Sequence, residues 1–358
     1  MMITIIGGGP AGSYLASLLA EKEVTVFEEH DKIGIPVQCT GITTKALAEI
    51  LDIKKQFLTN KITNAKIIAP NNQFIEIKLT QPDLVIDRAA FDQHLAEKAQ
   101  DKGAKYHLNH KYKSCTKNNG KLELHFDGEI KNFQTDILIG ADGPFSQVAK
   151  TTGLWKERKF AIGAQARMLI ETNPETVEFY VNQGYFGWVV PESEKTARVG
   201  IATYEQPNEK FKSFLKRIKT ETNSIQEYQS GMIPLHDPEI KTQDGNIYLI
   251  GDAAAQVKAT TFGGIVQGLM AAEELSKAIC HEKDYEKLWK KRMGRDLRIG
   301  LMIRKKLDKF TDEKYNKLVE LFTQERIKKV LEKKDRDRPS RFILELLLKE
   351  PRLLRFLF

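Results

Sequence analysis

Cysteine is scarce in this 358-residue chain: three residues, Cys39, Cys115 and Cys280, lie far apart with no C-x-x-C pair. That spacing argues against a structural zinc site and against a disulfide framework, and it suits a reducing cytoplasm. The seven histidines form no cluster with ligand spacing, and His107 and His110 read as a solvated strand face rather than as metal ligands. No apolar run is long enough to span a bilayer. The N-terminus lacks the basic start of a secretory signal and runs straight into a glycine-rich turn. Charge is not balanced: 56 Lys and Arg face 48 Asp and Glu, a net +8. The surplus gathers late, at 288–310 and 326–341. Such stretches meet nucleic acid, anionic lipid or an acidic protein partner, or they form solvated helix faces. No nucleic-acid reader motif accompanies them, so nucleic acid is not expected.

Glycine is placed where chemistry wants it. "MITIIGGGPAGSYLASLLAEKEVTVFEEH" reads strand, turn, helix, strand. Met2 to Ile6 is a short apolar run of the kind that fills a buried parallel strand. Gly7, Gly9, Ala11 and Gly12 lie in a G-x-G-x-x-G turn: the first Gly turns the chain, the second admits a pyrophosphate, the third lets helix pack on strand. Glu28 ends the next strand, where an acid accepts hydrogen bonds from the hydroxyls of an adenosine ribose. This unit binds a dinucleotide but leaves NAD and FAD both open.

Two later stretches bear on that choice. "TDILIGADGPFSQVAKTTGL" (135–154) carries a strand into Ala141-Asp142-Gly143. "GNIYLIGDAAAQVKATTFGGIVQGLMAAEEL" (245–275) carries another into Gly251-Asp252-Ala253-Ala254, then a loop, Gly263-Gly264 and a helix. An Asp at a strand end can hold a polyol, and a Gly-Gly helix start offers N–H groups and a positive dipole to an anion-forming ring. Those are the needs of a ribityl chain and a reduced flavin.

The three motifs, in this order, resemble the p-hydroxybenzoate-hydroxylase-like FAD proteins across nearly the whole chain. The resemblance implies non-covalent FAD, with Asp142 and Asp252 among its contacts and Asp252 at the ribityl region. It places Gly263, Gly264 and Ile265 at the flavin pyrimidine, Arg88 of "DRAAFD" (87–92) toward FAD, and Tyr112 at adenine through its backbone.

Within that group the chain is similar to the geranylgeranyl reductases, in particular the archaeal digeranylgeranylglycerophospholipid reductases. The likeness lies in "GIPVQCTG" (34–41), in "GYFGWVVPESEKTARVGIA" (184–202) and in "GDAAAQVKATTFGGI". Val190 stands where that family usually has Phe, and Ala202 and Phe262 where it has Gly. The resemblance implies hydride transfer from reduced flavin N5 to isoprenoid C=C bonds, on archaeal ether-lipid precursors. Protonation of the less substituted carbon would accompany it, in a cavity that excludes water. Tyr185, Phe186, Trp188 and Pro191 would line one wall for the prenyl chain, although their period-2 pattern also fits a domain core. Cys39, Thr40 and Gly41 would pass along the flavin, with Cys39 a candidate catalytic group for positioning or proton relay. Taken alone, Cys39 reads as a buried small hydrophobe. The electron donor is NAD(P)H or an acidic ferredoxin. An aromatic-ring monooxygenase of the same fold and a non-catalytic membrane-surface flavin carrier are the rival readings.

The expected fold is α/β: a Rossmann-type FAD-binding domain (1–58, 84–154 and 240–284), an antiparallel-sheet substrate domain (59–83 and 155–239) and a C-terminal helical region (285–358). The apolar and basic end, "SRFILELLLKEPRLLRFLF", either packs on the body or meets the inner face of a membrane through Arg341, Arg352 and Arg355.

Overall fold

Residues 1–118, 120–333 and 336–357 are described by a computed structural model. The chain forms two compact units: 1–37 with 88–159 and 234–298, and 38–87 with 160–233 and 299–358.

The first unit is built on a six-stranded sheet. Its order is Gln243–Asp244, Ile247–Leu249, Ile137–Gly140, Met2–Ile6, Glu23–Phe27, Lys105–His107. All pairs are parallel except the first. Ile5 lies opposite both Val26 and Ile139, and all three are fully buried. A parallel strand covered on both faces has no polar side to show, which is why these runs are continuously apolar. The helix Pro10–Leu18 packs on Arg88–Asp101 and Ile265–His281. Phe27, Leu138, Leu249 and Val148 share a core with Tyr112, Leu122, Leu124 and Phe126 of a three-stranded antiparallel sheet, Lys111–Asn118, Lys121–Asp127 and Asn132–Thr135. His107 stacks on Phe27 with ring centroids 5.0 Å apart, and His110 is buried at the edge of the same ring. His110 is therefore no part of a solvated face, while His107 stays partly exposed. Among the described residues no group of three or more His, Cys, Asp or Glu could hold a metal.

The second unit holds an eight-stranded sheet: Ile225–Pro234, Phe160–Leu169, Thr196–Thr203, Tyr185–Pro191, Thr176–Asn182, Leu58–Ile68, Phe74–Ile86, Ile42–Thr43. It is not wholly antiparallel, because Thr176–Asn182 pairs parallel with Leu58–Ile68. The helix Pro207–Arg217 covers one face, burying Phe211, Phe214 and Leu215 against Met168, Val189, Val199 and Ile201.

The domain boundaries differ from those expected. Residues 38–58 fall in the second unit because Ile42–Thr43 and Leu58–Ile68 both hydrogen-bond to Phe74–Ile86. The helices beyond 298 form no unit of their own. Asp312–Phe322 and Glu325–Lys333 pack on Phe74–Ile86, and Arg336 pairs with Asp83 while Thr44 donates to Asp337. No helix among the described residues is long and apolar enough to cross a membrane.

Candidate active site

In the first unit the glycine turn is forced by contact. A Cβ on Gly12 would stand 2.1 Å from the Gly7 carbonyl oxygen, so only glycine lets this helix sit down on the turn. Gly9 caps the helix, and nothing lies within 4 Å of where its Cβ would be. Pro10 follows at the first helical position, where a missing N–H costs no hydrogen bond. Glu28 Oε2 accepts from the Gly8 N–H at 2.8 Å, so the ribose acid and the turn are one hydrogen-bonded object. Its other oxygen accepts from the His30 N–H at 3.1 Å and meets His30 Nδ1 at 2.6 Å, a partner the sequence did not suggest.

The second and third motifs are joined by Arg158. Its guanidinium donates to Pro144 O (3.4 Å), Asp252 O (3.0 Å) and Ala253 O (2.7 Å) and stacks on Trp155. Arg158 is buried, and no pattern in "LWKERKF" separates it from its exposed basic neighbours. Asp142 acts locally. It accepts from Ser146 Oγ (2.6 Å) and the Val148 N–H (2.9 Å), holding the start of the short helix Gln147–Thr151.

Asp252 is different. None of the described side chains hydrogen-bonds its carboxylate, and burial pushes its pKa up to about 6 even with Arg88 and Arg158 pulling it down. A Cβ on Gly264 would lie 2.9 Å from Asp252 Oδ1, which places the carboxylate against the N-terminus of Ile265–His281. A Cβ on Gly263 would stand 3.2 Å from Lys258 Cε and 3.5 Å from its Nζ. A helix dipole and an ammonium thus meet where Gly263, Gly264 and Ile265 come together, and both favour negative charge. Phe262, which stands where the resemblance has Gly, sits at φ 59°. That left-handed conformation costs a bulky residue about 1–2 kcal/mol and glycine almost nothing. Arg88 is no free surface charge. It forks onto Asp92 at 3.0 and 2.8 Å with little of its side chain exposed. Tyr112 is buried in the first strand of the three-stranded sheet, its hydroxyl 3.0 Å from Thr151 Oγ1.

Cys39, Thr40 and Gly41 belong to the second unit. Gly41 sits at φ 75°, and a Cβ there would stand 2.3 Å from Ile86 O, so the segment enters its short strand only with glycine at this point. Cys39 is half-buried, and its Sγ accepts from the Gly41 N–H at 3.3 Å.

Strand alternation divides the expected substrate wall. Tyr185 packs on Phe214 under the covering helix, its ring centroid 5.8 Å away, and Pro191 shares its parity and is buried. These two belong to the core. Phe186 and Trp188 face the other way. Phe186 stacks on Phe179 at 5.6 Å and lies 6.4 Å from Trp188, forming an aromatic row. Trp188 Nε1 donates to Gln165 Oε1 (3.3 Å), and Thr40 Oγ1 donates to the same oxygen (2.9 Å). The structure thus brings the Cys39–Gly41 segment and Trp188 to one acceptor on one face. Gln165 was not singled out in the sequence, because a polar residue inside a strand carries no mark of what it faces.

The residues of the first unit fit a flavin dinucleotide: a half-buried carboxylate that no described side chain hydrogen-bonds, a glycine-lined helix start and a glycine turn tied to an acid. Known proteins agree. A model of the FAD binding domain family matches residues 1–284. An uncharacterized protein of Methanocaldococcus jannaschii is 28% identical over 341 residues, covering 89% of this chain and 87% of its own. Digeranylgeranylglycerophospholipid reductase 2 of Methanopyrus kandleri is 28% identical over 364 residues, covering 91% of each chain. The crystal structure of a geranylgeranyl bacteriochlorophyll reductase-like protein from Thermoplasma acidophilum shares the fold, with a TM-score of 0.86 at 24% identity over 99% of this chain and 98% of that one. With most of its length matched and the glycine turn, acid and helix start in their places, the chain belongs to the FAD binding domain family.

Proposed function

We propose that the protein is an FAD-dependent reductase that saturates the C=C bonds of geranylgeranyl chains, acting on archaeal-type ether-lipid precursors. The observation that carries this reading is the aromatic row Phe179–Phe186–Trp188, set on the same sheet face as the Cys39–Gly41 segment. An aromatic row beside a short polar loop suits a long greasy chain with one reacting bond at a time. The name of the Methanopyrus relative supports the same substrate class.

FAD, when bound and reduced, would supply the hydride. Gly7, Gly9 and Gly12 would admit its pyrophosphate, Glu28 its ribose and Asp252 its ribityl hydroxyls. The helix start at Gly264 and Lys258 would favour the anionic reduced ring. The aromatic row would keep water from the electron-poor carbon that protonation leaves. Cys39 would position the alkene or relay its proton; a thiol is too weak an acid to protonate an alkene unaided.

The C-terminal helix Ile343–Lys349 would meet the lipid surface. Leu344 and Leu348, one turn apart, are 65% and 73% exposed, with Arg341 and Arg355 exposed nearby in sequence.

The test is spectroscopic. Dithionite-reduced holoprotein, mixed without oxygen with geranylgeranyl ether lipid, should regain the oxidised flavin spectrum, and fully saturated phytanyl lipid should not produce it. Equal behaviour with both lipids would remove the reading. Replacing dithionite by NADPH or by reduced ferredoxin then identifies the donor.

A further inference from the structure

The Cys39–Gly41 segment is held by a charge cluster that lies wholly in the second unit. Arg198, itself buried, donates from the single nitrogen Nη1 to two consecutive carbonyls, Cys39 O at 3.1 Å and Thr40 O at 3.0 Å. Two acceptors on one nitrogen fix the direction of the backbone as well as its position. The Arg198 charge is balanced by Glu192, whose Oε1 accepts from Arg198 Nε at 2.8 Å and whose Oε2 accepts from Arg167 Nε at 2.6 Å.

A second line of contacts arrives one pair further along the sheet. Gln165 Oε1 accepts from Thr40 Oγ1 and from Trp188 Nε1, while Gln165 Nε2 donates to Gln229 Oε1 at 2.6 Å. Gln229 Nε2 in turn donates to Glu227 Oε1 at 3.1 Å. Gln165 and Trp188 both lie opposite Gly200, one on each neighbouring strand. They reach each other only because Gly200 has no side chain: its Cβ would stand 2.5 Å from Gln165 Cβ and 2.6 Å from Trp188 Cζ2.

Packing alone does not call for this arrangement, since an aliphatic side chain at 165 would fill the face without ordering the loop and the indole together. We propose that Arg198 and Gln165 are positioning residues that lock the Cys39–Gly41 segment and the Trp188 indole into one geometry, so that the loop's thiol and hydroxyl meet the chain lying on the aromatic row in a single register. The inference rests on reading this face as the alkene-binding face. Neither residue is required to touch the substrate.

The experiment uses holoprotein variants Arg198→Lys, Arg198→Met and Gln165→Leu, each checked for bound FAD. Two readouts are taken: flavin oxidation by geranylgeranyl ether lipid in a single turnover, and alkylation of each cysteine by iodoacetamide, resolved by peptide mass spectrometry. A displaced loop should lower the single-turnover rate by about 100-fold in Arg198→Met and Gln165→Leu, with apparent lipid affinity within about threefold of wild type. Arg198→Lys keeps the charge but loses the fork and should fall between them and wild type. Cys39 alkylation should change by about tenfold, while Cys115 and Cys280, outside the cluster, serve as unchanged controls. If Arg198→Met fails to fold, Gln165→Leu, which removes no charge, carries the test. If wild type itself is not oxidised by lipid, the functional reading fails, and alkylation at Cys39 alone decides the positioning inference. Folded variants with turnover within about twofold of wild type, or with unaltered Cys39 alkylation where turnover cannot be read, overturn it.

Discussion

Replacing Asp252 by Asn should stabilise the apoprotein near neutral pH while weakening FAD binding. Burial raises the Asp252 pKa from 3.8 to about 6 against the pull of Arg88 and Arg158. Between those two values the folded chain keeps a proton that the unfolded chain releases. The folded state binds more protons there, so stability falls as pH rises through the window, and the full penalty stands above about pH 6. A shift of about two units corresponds to about 3 kcal/mol, taken as an upper bound. Asn is nearly isosteric with the protonated acid and carries none of this penalty. Urea unfolding of FAD-free protein should therefore show the variant more stable by about 2–3 kcal/mol at neutral pH, with the gain shrinking to nothing below about pH 4. FAD affinity should fall about tenfold or more, because a charged acceptor for the ribityl hydroxyls is lost. A group that is a burden to the empty fold and useful to the loaded one is the usual signature of a binding residue. A variant no more stable than wild type at neutral pH, or a gain that does not vary with pH, would refute the reasoning.

Other perturbations test other parts of the architecture. Arg158→Met strips the guanidinium that the carbonyls of Pro144, Asp252 and Ala253 share, and should cost about 1–3 kcal/mol in denaturant unfolding; an unmoved midpoint would contradict its linking role. Gly200→Ala should cost about 1–3 kcal/mol or more by overpacking and should alter Trp188 fluorescence, because neither neighbouring atom sits at the free end of a flexible chain; a silent substitution would mean that the strands can part. Leu344→Glu combined with Leu348→Glu should weaken cosedimentation with anionic vesicles by about tenfold or more while leaving FAD content intact, whereas equal binding would take the C-terminal helix off the lipid surface.

Much of the first unit was legible because its constraints are local. A continuous apolar run signals a strand covered on both faces, and Gly12 has no alternative when its Cβ would strike the Gly7 carbonyl. The departure at Phe262 was legible too, and its left-handed backbone gives it a physical meaning. What could not be read depends on partners distant in the chain. Tyr185 and Trp188 differ by three positions, yet which parity faces the helix is decided by Phe214 and its neighbours. The boundary after Val37 follows from pairing with Phe74–Ile86, and nothing in "GIPVQCTG" announces that pairing. Arg158, Lys258, Gln165 and Arg198 are ordinary polar residues until the fold aims them at a backbone carbonyl or a helix start or, for Gln165, sets its oxygen between two donors. The three-stranded sheet left its alternation in Leu122, Leu124 and Phe126, but its place over Phe27 is a matter of packing.

The central claim is the saturation of prenyl double bonds, and product mass tests it most directly. Reduced holoprotein, incubated without oxygen with a geranylgeranyl ether lipid, should yield lipid heavier by whole pairs of hydrogens, in proportion to the flavin oxidised. Flavin that is oxidised while the lipid keeps its mass, across prenyl ether lipids, alcohols and diphosphates, would contradict the account.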